Sequence, residues 1–122
     1  MSELSKEAAR LDALKTYQVL DSLPEKEFDR ITELAAIVCN TPISLISLID
    51  EHRQWFKSIT GPISVKETAR EFAFCNHAIK GTTIYEVEDA ASTEVFRENP
   101  LVTGDPHIRY YGGYPLIDNN GY

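Results

Sequence analysis

Several features that would assign this chain to a common class of protein are missing from its sequence. It has only two cysteines, Cys39 and Cys75, which are too few for the disulfide framework of a small secreted domain. No apolar run comes near the ~18 residues that a membrane-spanning helix requires. The amino-terminal residues also lack the apolar segment of a secretory signal, and we therefore expect a cytoplasmic protein.

Basic residues are scarce as well. The 122 residues include 12 Lys and Arg but 19 Asp and Glu, which gives a net charge of −7. The acidic excess is present in both halves of the chain, so no basic face is expected to meet a phosphate backbone or an anionic membrane surface. Neither nucleic acid nor a membrane is therefore an expected partner.

The sequence also lacks the short motifs that mark common active sites. It contains no glycine-rich phosphate loop, no Gly-x-Ser-x-Gly nucleophile motif and no zinc-binding helix. We therefore expect no catalytic residues, no metal and no cofactor. The residues are 43% hydrophobic and 25% charged, which is ordinary for a folded protein, and the length corresponds to one domain, 1–122.

The first third of the chain carries a helical repeat of apolar residues. One helix is predicted over residues 4–17. A second is predicted from residue 25 and ends before Asn40-Thr41-Pro42, because a residue that precedes proline avoids helical dihedral angles. The apolar stripe expected to pack the second helix against the core comprises Phe28, Ile31, Leu34, Ala35 and Val38.

Strand-like patterns follow the two helices. Residues 43–49 are apolar on both faces, which predicts a central strand covered on both sides. Residues 54–60, which include Trp55, are predicted to pair with this strand as a hairpin. Further strands are predicted at 82–87 and 108–117.

A short helix is predicted to interrupt the strands. Thr68 and Glu71 have the spacing of a capping box, and the helix is expected over residues 72–80. Residues 89–101 are predicted to be irregular. Helices that precede and interrupt a mainly antiparallel sheet define an α+β fold.

Cys75-Asn76-His77 is the group with the most evident chemical potential. A thiol beside an imidazole could form a nucleophilic pair or two ligands of a metal. Residues two apart on a helix point about 200° away from each other, however, so the two side chains are not expected to share a site. The alternative is a cysteine packed as a small apolar residue and a histidine held by hydrogen bonds.

The stretch from residue 89 to residue 111 is long for a small domain, and long loops are often functional. Three tyrosines, Tyr110, Tyr111 and Tyr114, cluster at its far end. Folded over a strand that bears Arg109, this loop could close a small-molecule pocket. It could equally be a lid over an ordinary core, because aromatic residues at this spacing are as common in cores as in pockets.

Taken together, segments along nearly the whole chain resemble the GAF domains of bacterial signalling proteins. The resemblance begins in residues 11–36 and continues, in order, to residues 108–116. Its most specific motifs are Gln54-Trp55-Phe56-Lys57-Ser58, Glu67-Thr68-Ala69-Arg70-Glu71 and Phe74-Cys75-Asn76-His77-Ala78-Ile79.

The resemblance implies a GAF-like arrangement of the α+β fold. It places the amino-terminal helices on one face of a central antiparallel sheet, and a short helix, 74–79, with a long loop, 89–101, on the other. The strand at 108–116 would form the floor of a ligand pocket. The residues expected to line this pocket are Phe74, Cys75, His77, Asp89, Asn99, Leu101, Arg109 and Tyr111.

GAF domains of this kind typically precede the catalytic domains of sensor histidine kinases and of diguanylate cyclases with GGDEF domains. The resemblance therefore implies a non-catalytic sensory module of a signal-transduction protein, such as a two-component system. Such a module binds a small molecule of unspecified identity or a partner, signals to an output domain outside this chain, and is expected to form a homodimer.

Other functions stay open at this stage. A dimerisation or docking module would need no pocket. Some GAF proteins reduce free methionine sulfoxide, which requires an attacking and a resolving cysteine within reach, and here only Cys39 and Cys75 are available. Bilin-binding GAF domains have histidine directly after the attachment cysteine, whereas Asn76 intervenes in this chain.

The resemblance also implies that the chain stops before the last strands and the carboxy-terminal helix of the family. Residues 119–121 form a turn signal after which the family has a further strand. Without it, one edge of the strand predicted at 108–117 would be unpaired and an apolar face would be open.

We therefore expect this 122-residue chain to self-associate through the open edge or face. Sedimentation at micromolar concentration measures this directly. A clean monomer whose amides at 110–116 exchange slowly with solvent would contradict the expectation, because the edge would then be paired within the chain.

Overall fold

Two long amino-terminal helices are followed by short antiparallel strands that short helices interrupt, which is an α+β fold. The computed structural model describes residues 3–122, so the first two residues of the predicted domain 1–122 lie outside it. Among these residues no helix is long and apolar enough to cross a membrane. The elements are α1 (Glu3–Thr16), α2 (Lys26–Cys39), β1 (Ser44–Ile49), β2 (Arg53–Thr60), β3 (Glu67–Ala69), α3 (Cys75–Ala78), β4 (Tyr85–Val87), α4 (Pro100–Thr103) and β5 (Tyr111–Gly113).

The strands form two antiparallel sheets, one ordered β1-β2-β3 and the other made of β4 and β5. The prediction that residues 43–49 form the central strand is wrong, because β2 occupies the centre and β1 lies at an edge of the first sheet. Residues 67–69 account for the difference. They are extended and pair with β2, with Ala69 opposite Arg53, and a single 3-10 turn at Arg70–Phe72 follows in place of a capped helix.

The pairing of β1 with β2 determines which side chains share a face of the first sheet. Ser47 lies opposite Phe56, and Ile49 lies opposite Gln54. Directly paired residues point to the same side of a sheet, so these four side chains share the face that meets α3. The register shifts after Ile46, which leaves Lys57 without a partner on β1, as in a β-bulge.

The other face of the first sheet meets α2 through polar side chains. Thr32 is 1% exposed, and its hydroxyl oxygen lies 2.9 Å from that of Ser58 and 2.9 Å from that of Thr60. The Ser58 hydroxyl also donates a hydrogen bond to the Asp29 carboxylate at 2.6 Å. Buried hydroxyl groups need such partners, and the side of α2 that carries Asp29 and Thr32 therefore faces the sheet.

This orientation overturns the predicted packing of α2. Phe28 and Ala35 are half-buried as expected, but Ile31, Leu34 and Val38 are between 55% and 73% exposed. Apolar spacing alone misidentified the packed side, because Ser58 and Thr60 on β2 present hydroxyl groups that a stripe of aliphatic side chains could not pair.

Three predicted elements are shorter than expected. The helix predicted over 72–80 is reduced to α3, and the strand predicted over 82–87 begins at Tyr85. The strand predicted over 108–117 is reduced to β5. The first residues of the predicted strand form hydrogen bonds with the preceding loop instead. The Ile108 amide donates to the Leu101 carbonyl, and the Arg109 carbonyl accepts from the Ala90 amide. Beyond β5, Pro115 has no amide hydrogen to donate to a sheet.

The burial of Trp55 predicts a large loss of stability on truncation. Trp55 is 7% exposed, and Trp55→Ala should lower the free energy of unfolding by about 3–5 kcal/mol, the range for a buried aromatic side chain. Denaturant titration measures the change. Leu34→Ala is the control, because Leu34 is 61% exposed and its truncation should cost less than about 1 kcal/mol. Equal losses in the two variants would contradict the packing described here.

Candidate functional site

The predicted site residues separate into an apolar group that comes together and a polar group that holds the surrounding loops. Phe74 lies in a hydrophobic cluster with Val87, Phe96 and Val102, against which Leu101 and Tyr111 pack. This cluster lies between α3, the loop of residues 88–110 and β5, which is where the pocket was expected.

Two stacked aromatic rings occupy the middle of this region. The rings of Phe74 and Phe96 lie 4.2 Å apart and are nearly parallel, with 7° between their planes, and both side chains are buried. Tyr111 is tilted against Phe74 at 5.2 Å. Tyr110, by contrast, is exposed and donates a hydrogen bond to the Glu86 carboxylate at 2.7 Å. Side chains therefore fill the space between the elements, and ligand binding at this place stays a prediction.

Cys75 joins the two sheets through its sulfur atom. The Ser47 hydroxyl on β1 donates to Cys75 Sγ at 3.3 Å, and the Tyr111 hydroxyl on β5 donates to the same atom at 3.1 Å. We call these three residues the sulfur triad. Burial and the neighbouring Cys75 raise the pKa of Tyr111 well above its usual range, so this phenol keeps its proton and donates.

His77 does not take part in the sulfur triad. Its ring lies edge-on to Phe96 at 5.0 Å and nearly parallel to Tyr85 at 6.2 Å. Burial, with a smaller effect of Lys80, lowers the pKa of His77, which favours the neutral imidazole. The expectation that Cys75 and His77 point apart agrees with these contacts. Over residues 3–122, no three His, Cys, Asp or Glu side chains converge as metal ligands.

The three polar residues of the predicted site bind the chain around them. Asp89 accepts hydrogen bonds from the Ala91 amide and the Ser92 hydroxyl, which fixes the turn after β4. Asn99 caps α4 by accepting from the Leu101 amide, and it also donates to the Phe72 carbonyl. Arg109 donates to the Val102 carbonyl at 2.9 Å. Their side chains position the loop, and none of these contacts is directed at the sulfur triad.

The set of residues predicted to line the pocket left out two members of this region. Phe96 belongs at the centre of the cluster, and its only signal was a large aromatic residue among the polar residues of a long loop. Ser47 interrupts the apolar run of β1. A polar residue inside such a run commonly has a buried partner, and this could have directed attention to it.

Two surface depressions are present, and neither has a residue of the sulfur triad among its lining residues. One is enclosed by α1 and the carboxy-terminal turn, with Asp12, Tyr17 and Asp118 among its lining residues. The other has a volume of about 440 Å³ and includes His52, Arg70 and Asn76 in its lining.

The raised pKa of Tyr111 predicts a loss of stability at alkaline pH. A group whose pKa is higher in the folded state stabilises fully below its unfolded pKa, about 10 for tyrosine, and this contribution is lost as the pH rises through the folded value. The free energy of unfolding should therefore fall above about pH 10, and less steeply in Tyr111→Phe.

Denaturant titrations across this pH range measure the effect. Ser47→Ala is the matched control, because it removes the other donor to Cys75 and leaves the phenol in place. The two variants should therefore differ in the alkaline slope. Identical slopes in the wild type and Tyr111→Phe would contradict the assignment.

Comparison with known proteins gives one informative relative. No protein-family model matches the chain. The chain is 40% identical over 103 residues to a protein of Pseudomonas aeruginosa named as a cyclic di-GMP phosphodiesterase. The match takes in 84% of this chain but only 17% of the relative, so the chain corresponds to a small part of that protein.

Proposed function

We propose that this chain is a non-catalytic regulatory module, of the GAF type, in a cytoplasmic protein of cyclic di-GMP signalling. The observation that carries the proposal is the 40% identity to a small part of a protein named as a cyclic di-GMP phosphodiesterase. The α+β fold and the GAF-like motifs between residues 54 and 79 are consistent with a sensory role. The output domain would lie elsewhere in the full protein.

The input site of this module would be the face of the first sheet that carries Ser47 and meets the rest of the sulfur triad. Gln54 lies on this same face, and its side-chain oxygen is buried without a hydrogen-bond partner among the described residues. A buried acceptor without a donor is costly. A small molecule that brings an N–H or O–H donor to this face would donate a hydrogen bond to the Gln54 oxygen. It would also compete with the hydrogen bonds that Ser47 and Tyr111 donate to Cys75.

A thiol-dependent reductase fits the arrangement less well. Cys39 is exposed at the end of α2, which packs on the face of Thr60, whereas Cys75 contacts Ser47 on the opposite face. Exchange between an attacking and a resolving sulfur requires that they meet, and here the two cysteines belong to helices on opposite faces of the first sheet. The thiol of Cys75 has hydroxyl partners instead of the adjacent base that activates a nucleophile.

A docking or dimerisation module is a second candidate function. Two observations favour it: the stacked rings of Phe74 and Phe96 fill the expected pocket, and Ile31, Leu34 and Val38 are exposed along one side of α2. A homodimer or another domain that covered this side would bury aliphatic surface, which stabilises association.

A chimeric enzyme tests the regulatory role. In the Pseudomonas relative, the matching segment is first deleted and then replaced by this chain, and the rate of cyclic di-GMP hydrolysis is measured for each form. We expect the deletion to change the rate and the replacement to restore it. The isolated chain should hydrolyse no cyclic di-GMP.

Two results would overturn the proposal. Hydrolysis by the isolated chain would show that it is catalytic. A deletion that leaves the rate of the relative unchanged would show that the segment does not regulate it. Ser47→Ala and Tyr111→Phe within the chimera then separate the two candidate functions, because only an input at the sulfur triad depends on these hydroxyl groups.

A further inference from the structure

The side chain of Arg70 connects α1 with α3 through hydrogen bonds. Its Nε donates to the Asn76 side-chain oxygen on α3 at 2.9 Å. Its Nη1 donates to the Glu7 carboxylate on α1 at 2.6 Å. The same nitrogen lies 3.3 Å and 3.4 Å from the carbonyl oxygens of Asp50 and Glu51, in the turn between β1 and β2.

Glu7 belongs to a second group of contacts that bind α1 to the first sheet. Arg10 donates to both carboxylate oxygens of Glu7, at 3.0 Å and 2.8 Å, and its Nη1 donates to the Ile49 carbonyl at 2.8 Å. Hydrogen bonds and charge from Arg10 and Arg70 lower the pKa of Glu7 to about 2 against the opposing effect of burial. Glu7 is therefore an anion at neutral pH and bonds to both arginines.

These polar contacts matter because the apolar anchoring of α1 is only partial. None of its residues is buried, and Ala9, Leu11, Ala13 and Leu14 are half-buried. A helix without fully buried side chains opens more readily than one whose apolar side is buried. The loss of a single contact in this group should therefore be visible in how well α1 is docked.

We propose that Arg70 transmits the position of α3 to α1, so that a change at Asn76 weakens the docking of the amino-terminal helix. This inference rests on the proposed regulatory function, since it supplies the route by which an input beside Cys75 leaves the site. Asn76 adjoins Cys75 of the sulfur triad, and it orients the guanidinium group whose other end holds Glu7. The two states are α1 docked and α1 released, and an input that moves α3 shifts the balance between them.

The link is also accessible from outside the molecule. Arg70 and Asn76 both line the surface depression of about 440 Å³, together with His52 and Glu71.

Amide hydrogen exchange of α1, residues 3–16, tests the proposal without any ligand. Asn76→Ala removes the acceptor of Arg70 Nε and leaves Glu7, Arg10 and Arg70 in place. We expect exchange in α1 to become about 10-fold faster, because a hydrogen bond to a charged group is lost and α1 opens locally. Asn76→Asp keeps an acceptor oxygen and should retain slow exchange.

Two further variants separate coupling from general destabilisation. Asp21→Asn is the matched control, because it weakens a similar arginine–carboxylate pair, Arg53 with Asp21, which touches neither α1 nor α3. It should leave exchange in α1 unchanged. Glu7→Gln breaks the link at its other end, and combining it with Asn76→Ala should add little to either change alone, as expected for contacts within one network.

Three outcomes would overturn the inference. One is a rate of amide exchange in α1 that stays at the wild-type value in Asn76→Ala. Another is an equal acceleration in β2, residues 53–60, which would indicate global unfolding. The third is an additive effect in the double variant. None of these results depends on cyclic di-GMP, so the proposed regulatory function would stand or fall separately by the hydrolysis rates of the chimera.

Discussion

Burying a hydroxyl or charged group obliges it to find a hydrogen-bond partner, and this constraint determines how α2 lies on the first sheet. Thr32 and Asp29 form hydrogen bonds with a hydroxyl group of β2, and α2 is oriented so that the side bearing these two residues faces the sheet. Lys57 obeys the same rule. Its side chain is 1% exposed, and its ammonium group donates to the Ser22 hydroxyl and the Leu23 carbonyl and pairs with Glu25 at 2.7 Å. The chain between α1 and α2 is thereby fixed to the bulge in β2.

The candidate site combines this polar constraint with apolar packing. Stacked rings supply contact area but tolerate sliding, whereas the two hydrogen bonds to Cys75 Sγ fix how β1 and β5 lie relative to α3. Close-packed interiors transmit small displacements instead of absorbing them. A change at Ser47 or Tyr111 should therefore be felt at α3, the helix from which Asn76 reaches Arg70.

Local patterns predicted the elements better than their contacts. The two long helices and the hairpin of β1 and β2 follow from periodicity within each segment, and the structure confirms them. The rotation of α2 could not be predicted in this way, because it depends on hydroxyl groups of β2 that lie more than twenty residues further along the chain. β3 was missed for a related reason, since its pairing with Arg53 overrides a local helix signal.

The aromatic cluster illustrates the same limit at the site. Phe96 and Ser47 are isolated exceptions in their own segments, a ring in a polar loop and a hydroxyl in an apolar strand. Each acquires its role only when distant segments meet. Sequence resemblance brought Phe74, Cys75 and Tyr111 together, and their contacts show that α3 and β5 do meet. Ligand binding in that space depends on the free energies of packing and hydration, which the spacing of residues along the sequence does not determine.

The two sheets also differ in how far apart their paired strands lie along the chain, and this has a consequence for the order in which the molecule assembles. The turn of residues 50–52 closes the pair β1 and β2, whereas residues 88–110 separate β4 from β5. About three doublings of loop length add roughly 2 kcal/mol of closure entropy to the second pair. The hairpin of β1 and β2 can therefore form first and serve as a template. The pair of β4 and β5, which carries Tyr111, then forms later.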